Sequence, residues 1–476
     1  MAEAAGPHQI AERYDGIVIG AGQGGGPLAT ALARAGRRIA IIEHAFVGGS
    51  CINYGCTPTK TMVASARVAY LARRADGYGV HAGPVSVDLA AVRARKQKIV
   101  ERFRSGSQAG LEQAEGVDLL LGHATFEGPH ALKVTNDAWT RHLEAELIVI
   151  NAGARPASPD LPGLRGPRVL DSTAILELDE LPDHLLVIGG GYIGVEFAQM
   201  FRRFGSRVTL VQRAERLLRR EDDDVSAAVA QILREDGVEL HFDAVPAAAA
   251  VTPAGISVKL RDSQRRVSAV TASHVLVATG RPPATEGLGL VLAGIATDAQ
   301  GFVQVNERLE TSVPGVYAIG DVKGGPAFTH ISYDDFRILW RRLVKGEDAT
   351  TLGRQVPYTV FIDPQLGRIG MTERDARAAG YEIRVAKLPM EHVARAIEVD
   401  ERRGFIKAVV DGRSERILGA AVLGIEGGEL MAMLQIAMLG DLSFRVLASA
   451  TFAHPTLAES LNNLFEPLGE PQPAAP

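Results

Sequence analysis

The stretch Asp15-Gly16-Ile17-Val18-Ile19-Gly20-Ala21-Gly22-Gln23-Gly24-Gly25 decides how the chain is read. A short apolar strand runs straight into closely spaced glycines, and a helical pattern follows over 27–36. A second strand, 38–43, ends in Glu43, about twenty residues after the glycines. A glycine-rich loop alone says little. Strand, glycines, helix, strand and terminal acid together make the dinucleotide-binding fingerprint. Its glycines admit a pyrophosphate to the helix N-terminus, where unpaired N–H groups and the dipole favour anions. Gly20, Gly22 and Gly25 are the expected loop, and Glu43 the expected partner of a ribose 2′-hydroxyl.

The fingerprint recurs. His184-Leu185-Leu186-Val187-Ile188-Gly189-Gly190-Gly191-Tyr192-Ile193-Gly194 leads into a helical pattern over 195–204 and a strand over 206–211. Two copies imply two dinucleotide sites, one per domain. The second copy ends in Gln212-Arg213 instead of an acid, with Arg216, Arg219 and Arg220 close behind. A missing acid and nearby arginines suit a 2′-phosphate, so NADPH is favoured over NADH. The competing reading is a basic turn facing water.

Between the copies, Gly48-Gly49-Ser50-Cys51-Ile52-Asn53-Tyr54-Gly55-Cys56-Thr57-Pro58-Thr59-Lys60 holds the only two cysteines of 476 residues. In a straight helix, residues five apart sit roughly 8 Å apart. A disulfide reaches only about 7 Å between Cα atoms without backbone movement. Asn53 and Gly55 can tighten or distort the turn. On the residues alone, a buried structural pair and a redox-active pair both remain open.

Outward from there, 57–74 reads as a helix and 85–115 as a second one whose Arg and Lys residues are expected on a solvated face. Strands are expected over 117–126 and 131–150, then a proline-rich connector at 155–162 that reads as a domain crossing. Short strands fill 241–280, and Val316-Tyr317-Ala318-Ile319-Gly320-Asp321 is an apolar strand ending in an acid, ahead of a helix through 343. Beyond Gly346, sheet is expected at 356–370, 404–410 and 417–423, with helices at 372–379, 428–439 and 456–465. Residues 1–13 and 467–476 read as flexible tails.

Composition excludes several classes. Net charge of −5, with 46% hydrophobic and 22% charged residues, is that of an ordinary globular protein. It gives no electrostatic reason to expect nucleic acid or an anionic membrane as partner. Two cysteines do not make a disulfide scaffold, so a reducing, cytoplasmic setting is expected. No signal peptide is read at the N-terminus, and no window reaches the roughly 18 apolar residues of a membrane helix.

In this motif order the chain resembles the class I pyridine nucleotide-disulfide oxidoreductases over about residues 14–466. Within them it is most similar to the mercuric-reductase-like branch, which includes a reactive-chlorine-resistance flavoprotein that reduces copper(II). Phe328-Thr329-His330-Ile331-Ser332-Tyr333-Asp334-Asp335-Phe336-Arg337 and the segment from His454 through Glu459 to Phe465 carry that closer likeness. The resemblance implies an α/β fold: two Rossmann-like dinucleotide-binding domains plus a C-terminal α+β dimerisation domain, as in glutathione reductase. The domains would be 14–154 with 281–350 for FAD, 155–280 for NADPH, and 351–466 for dimerisation.

The resemblance also implies roles. FAD would rest on Gly20, Gly22, Gly25, Glu43, Gly49, Ser50, Lys60, Ala124, Gly153, Asp321 and Thr329. NADPH would rest on Gly189, Gly191, Gly194, Arg213, Arg219 and Gly280, with Tyr192 as the gate over the nicotinamide site. Lys60 would pair with Glu196 near the flavin. Cys51 and Cys56 would form a redox-active disulfide, with Cys56 beside the flavin and Cys51 exchanging with substrate. His454, oriented by Glu459, would be the acid–base, reaching the site from the partner subunit of a homodimer.

The expected activity is an FAD-dependent NADPH oxidoreductase that passes electrons through the cysteines to a small disulfide or an oxidised metal ion such as Cu(II). No structural metal is expected; the thiol pair would be at most a transient metal site. Three departures from the family pattern stand out. No cysteine follows Cys56 to capture Hg(II) as in mercuric reductase, Tyr54 stands where a small aliphatic is usual, and Asn151 replaces the usual alanine without expected consequence for chemistry. Rival readings are dihydrolipoamide dehydrogenase, mercuric-reductase-type activity, and a flavin redox sensor or metal-binding protein that does not turn over.

Overall fold

The computed structural model describes residues 11–158 and 161–469. Most of both expected tails and two connector residues lie outside that range. The chain divides into two compact, discontinuous units. The first takes the residues up to Thr61, 93–157 and 280–354; the second takes 62–92, 158–279 and the chain from 355 onward.

The first unit is built on a parallel sheet of strands in the order Val316–Ala318, Leu147–Ile150, Gly16–Ile19, Ile39–Glu43 and Val117–Leu121. Its strands are apolar at nearly every position because both faces are covered. Alternation still sorts the side chains. Ile17, Ile19, Ala40, Ile42, Ile148 and Ile150 face one core, together with Phe126, Leu132 and Leu143 of a second, four-stranded sheet. Val18, Ile39, Ile41 and Val149 face the opposite core, with Leu28 and Leu32 of helix Gly25–Arg34 and Leu339 of helix Thr329–Leu343. The parallel order places the C-terminal ends of Gly16–Ile19, Leu147–Ile150 and Val316–Ala318 together, with Gly20, Asn151 and Asp321 beyond them.

The second unit repeats the parallel arrangement in the order Glu239–His241, Arg207–Val211, His184–Ile188, His274–Val277 and Val169–Leu170. It adds a three-stranded antiparallel sheet over 244–272 and a five-stranded antiparallel sheet in the order Tyr358–Val360, Gln365–Gly370, Ile417–Gly424, Phe405–Asp411 and Ile383–Pro389. The α/β class with a C-terminal α+β sheet is as expected.

Several local expectations are corrected. Glu12–Arg13 is a short strand paired with Leu143 and Glu144, not loose tail. Strand Ile383–Pro389 and helix Phe444–Ser449 were not legible in the sequence, and the last helix begins at Ser460, not 456. Lys96, expected on a solvated face of helix Leu89–Glu112, is buried. Tertiary packing overrides composition there.

Helix Gly427–Leu439 is apolar apart from Glu429 and Gln435. Leu430, Met431 and Leu434 are buried, yet Met433, Ile436 and Leu439 are 41%, 69% and 65% exposed, and Leu442 and Val446 extend the patch. A bare apolar stripe of this kind marks an interaction surface. Among the described residues no helix is long and apolar enough to cross a membrane.

A buried charge cluster ties segments of the second unit together. Arg203 bonds Asp236 at 2.8 Å and also pairs with Asp363, and all three side chains are buried. Arg203→Met would strand two carboxylates, so unfolding in urea should show a loss of roughly 3–5 kcal/mol. Loss below 1 kcal/mol would mean that Arg67 and Arg403, which also reach these acids, suffice.

Candidate active site

The first glycine loop closes through backbone approaches that leave no room for side chains. Gly20 has a left-handed φ of +104°, and a Cβ on it would strike the Asn151 carbonyl. One on Gly25 would strike the Gly20 carbonyl. Asn151 Nδ2 donates to Gly20 O at 2.9 Å, fastening the loop to the neighbouring strand end. The loop then receives the next segment: Gly48 N donates to Ala21 O at 2.8 Å, and a Cβ on Gly49 would stand 2.8 Å from Gly22 Cα. The cysteine stretch is thereby stacked directly on the loop.

Glu43 is buried and accepts from Ala21 N at 3.0 Å and Ala45 N at 2.9 Å. Burial raises its carboxyl pKa, but His44 and those backbone donors outweigh it and hold the group below the usual carboxylate range. Glu43 is therefore a fixed anion at the end of its strand.

Between the cysteines the backbone does not run as one helix. Gly49–Asn53 is a single turn, Tyr54 leaves the helical region, and a new helix, Cys56–Arg73, begins two residues later. Gly55 makes the break possible: a Cβ there would lie 3.0 Å from Ser50 O. Asn53 is the internal brace. Its amide donates to Val47 O and Gly49 O at 3.0 Å, and its carbonyl accepts from Arg104 Nε at 2.7 Å. The Arg104 guanidinium lies 3.8 Å over the Phe46 ring, which also meets Tyr54.

The break brings the two sulfurs into contact, as thiols not joined by a disulfide. Cys56 Sγ is 3.2 Å from Thr329 Oγ1, the first residue of helix Thr329–Leu343. The adjacent Cys56 thiol, then burial, push the Cys51 pKa well up, while Thr329 and the Lys60 ammonium pull it down by less. Once one sulfur of the pair is a thiolate, its charge opposes loss of the proton from the other. A helix N-terminus beside Cys56 favours the negative charge.

Near the other expected flavin positions, burial pushes the Asp321 carboxyl up against the pull of Arg281 and Lys323. Arg281 donates to Ala154 O at 2.6 Å and reaches Ser50 Oγ at 3.4 Å. Gly153, at φ +74°, has open space where a Cβ would point, and Ala124 is buried in the strand His123–Gly128.

In the second unit, Gly189 sits at φ +115° against the Ala278 carbonyl, and a Cβ on Gly194 would strike Gly189 O. Gly191, by contrast, faces open space. Gln212 stands where an acid is usual; it is buried, its Oε1 accepting from Gly190 N at 3.2 Å and its Nε2 donating to Arg216 O at 3.1 Å. Arg216 pairs with Asp223, whereas Arg213 and Arg219 are exposed and make no ion pair among the described residues. Tyr192 opens helix Tyr192–Phe204, and Glu196 is buried one turn on, accepting from Phe361 N at 2.7 Å. Lys60 and Gly280 belong to the first unit and Glu196 to the second.

Helices Gly25–Arg34, Tyr192–Phe204 and Thr329–Leu343 each begin without a side-chain cap and without an acid in the first turn. The first backbone N–H groups of a helix have no partner within it. Three bare N-termini at the two fingerprints and at Thr329 fit anionic groups, so the residues suit the pyrophosphates of two dinucleotides. His454 Nδ1 lies 2.9 Å from Glu459 Oε2 in the loop before Ser460, not within a helix start.

A pyridine nucleotide-disulphide oxidoreductase model matches residues 14–335, and the dimerisation domain of the same group matches 356–465. The chain belongs to this family. Members are flavin-dependent oxidoreductases that use a pyridine nucleotide. The chain is 38% identical over 457 residues to a probable pyridine nucleotide-disulfide oxidoreductase, RclA, of Escherichia coli K12, covering 95% of this chain and 99% of that one. A dihydrolipoyl dehydrogenase of Thermus scotoductus is 36% identical, with 96% and 97% covered. The solved Cu(II) complex of the HOCl-induced flavoprotein disulfide reductase RclA from Escherichia coli superposes with a TM-score of 0.88 at 37% identity, covering 96% and 100%. As an oxidoreductase of this family the chain carries both the redox domains and the dimerisation domain.

Asn151, expected to be without consequence for chemistry, has a structural part in fastening the loop. Asn151→Ala would leave the Gly20 carbonyl without its side-chain donor. Chemical unfolding should show a loss of roughly 1–3 kcal/mol, with Asn151→Asp failing to restore it because the amide donor is missing.

Proposed function

We propose that the chain is an NADPH-dependent, FAD-containing reductase that delivers electrons through Cys51 and Cys56 to a small disulfide or an oxidised metal ion such as Cu(II). The contact between the two sulfurs beside Thr329 carries this reading. Gly20, Gly22, Gly25, Glu43, Gly49, Ser50, Gly153, Asp321 and Thr329 would hold FAD; Gly189, Gly191, Gly194, Arg213 and Arg219 would hold NADPH. When bound, the flavin supplies two-electron transfer between nicotinamide and the sulfur pair. Lys60 and Glu196 are assigned to the flavin environment by family likeness.

With a disulfide substrate, the Cys51 thiolate attacks one sulfur and expels the other half as a thiolate. Cys56 then attacks Cys51, closing the Cys51–Cys56 bond and releasing the second half. Each departing thiolate takes a proton, for which His454, held by Glu459 through Nδ1, is the donor. With copper, the same dithiol reduces two Cu(II) ions to two Cu(I) and closes to the disulfide, releasing two protons. The lone pair of cysteines gives soft ligands for such an ion but no second pair to relay Hg(II).

The homodimer that brings His454 to a neighbouring site is supported by the apolar stripe on helix Gly427–Leu439 and by the dimerisation domain. The bare Arg213 and Arg219 support NADPH over NADH, and hence weigh against a dihydrolipoamide dehydrogenase role. Sparse cysteines support a cytoplasmic setting.

Anaerobic reduction by NADPH, followed by a screen of disulfides, Cu(II) and Hg(II), tests the acceptor. Cys51→Ser should lose turnover yet keep a long-wavelength thiolate–flavin absorbance, and Cys56→Ser should lose both; identical spectra would remove the assigned roles. His454→Ala should slow disulfide turnover about 10²–10⁴-fold. Arg219→Ala should raise the KM for NADPH roughly 10–100-fold, as a lost charge-assisted bond, and leave NADH unchanged.

A further inference from the structure

Tyr192 does not stand alone in its unit. Its ring packs against that of Tyr358, with centroids 5.2 Å apart and planes at 44°. Tyr358 opens the edge strand Tyr358–Val360 of the antiparallel sheet and donates its hydroxyl to Glu221 Oε1. Glu221 is fully buried, and burial pushes its carboxyl pKa up. Its other oxygen has no hydrogen bond among the described residues and faces Arg368 Nε at 3.6 Å. The Tyr358 hydroxyl is thus the hydrogen bond that this carboxylate has. Three residues later, Phe361 N holds Glu196, one helical turn beyond Tyr192. Segment 358–361 braces the first turn of helix Tyr192–Phe204 at two points, one through backbone and one through a side chain that can swing.

We propose that Tyr358, fixed by Glu221, is a latch that holds the Tyr192 ring in its resting place, so that nucleotide binding must break the Tyr192–Tyr358 contact. This rests on the reading of Tyr192 as the gate of the nicotinamide site. Tyr358 and Glu221 are positioning residues; they act through Tyr192. Glu221 also follows Arg219 and Arg220 directly in the chain, so the base of the latch and the expected 2′-phosphate arginines share one turn. The latch sets how much binding free energy is consumed in moving the ring, and therefore the affinity for the nucleotide, whichever nucleotide it is.

Calorimetric titration of the holoenzyme with NADP⁺ and, separately, NAD⁺ tests the latch without turnover. Tyr358→Phe keeps the ring and removes the hydroxyl. It should tighten both ligands by the same factor, roughly fivefold to tenfold, because the Tyr358 ring loses the hydrogen bond to Glu221 that fixes it against Tyr192. Glu221→Gln keeps an acceptor and should stay within about twofold of wild type. Tyr192→Ala should tighten both ligands, and adding Tyr358→Phe to it should change nothing further, since the two act as one unit.

Unchanged binding in Tyr358→Phe, with tightening in Tyr192→Ala, would overturn the latch and leave the gate standing. Unchanged binding in Tyr192→Ala would remove the gate and the latch together. Tightening confined to NADP⁺ would place the effect at the 2′-phosphate and also overturn the latch. Should Tyr358→Phe not fold, a crystal structure of the wild type with NADP⁺ decides. The Tyr192 ring should have left Tyr358 with the Tyr358–Glu221 bond intact; a ring still against Tyr358 would overturn the proposal.

Discussion

The first unit depends on how closely three pieces of backbone can approach one another. The loop after strand Gly16–Ile19, the strand end at Asn151 and the turn at Gly48 and Gly49 meet at distances that exclude any Cβ. Asn151 seals the junction with a single amide hydrogen bond to Gly20. Everything chemical in that unit is referenced to this junction. The cysteine turn is stacked on it, and the Glu43 carboxylate accepts from the loop's own Ala21 N–H.

The second constraint is the break at Tyr54 and Gly55. A continuous helix would hold sulfurs five residues apart on different faces. A turn, a kink and a new helix fold them back into contact and set one of them at the start of a third helix, beside Thr329. Cys56 and burial oppose ionisation of Cys51, while Thr329 and Lys60 favour it. It is on this pair that the proposed electron transfer rests.

Much of this was legible in the sequence because it is imposed by backbone sterics. Glycines at 20, 25, 189 and 194 can be read directly, since nothing else fits there. The cysteine pair and the His454–Glu459 spacing carry their chemistry in residue type. What stayed hidden depends on partners distant in the chain. Asn151 looks like a neutral replacement until Gly20 is seen beneath it, 131 residues away. Glu221 looks like one acid among many until Tyr358 closes on it, 137 residues later. Lys96 was assigned to water by its charge and is buried by its neighbours. Gln212, read only as a missing acid, proves to be a buried strut between Gly190 and Arg216.

The bare stripe of Met433, Ile436 and Leu439 has a consequence for the life of the chain before it ever meets a substrate. Newly made molecules carry this adhesive helix as soon as the sheet behind it has folded. Until that helix is covered, each copy is vulnerable to sticking to whatever oily surface it encounters. Polar residues along the stripe would lessen that stickiness and remove the apolar surface a partner could cover.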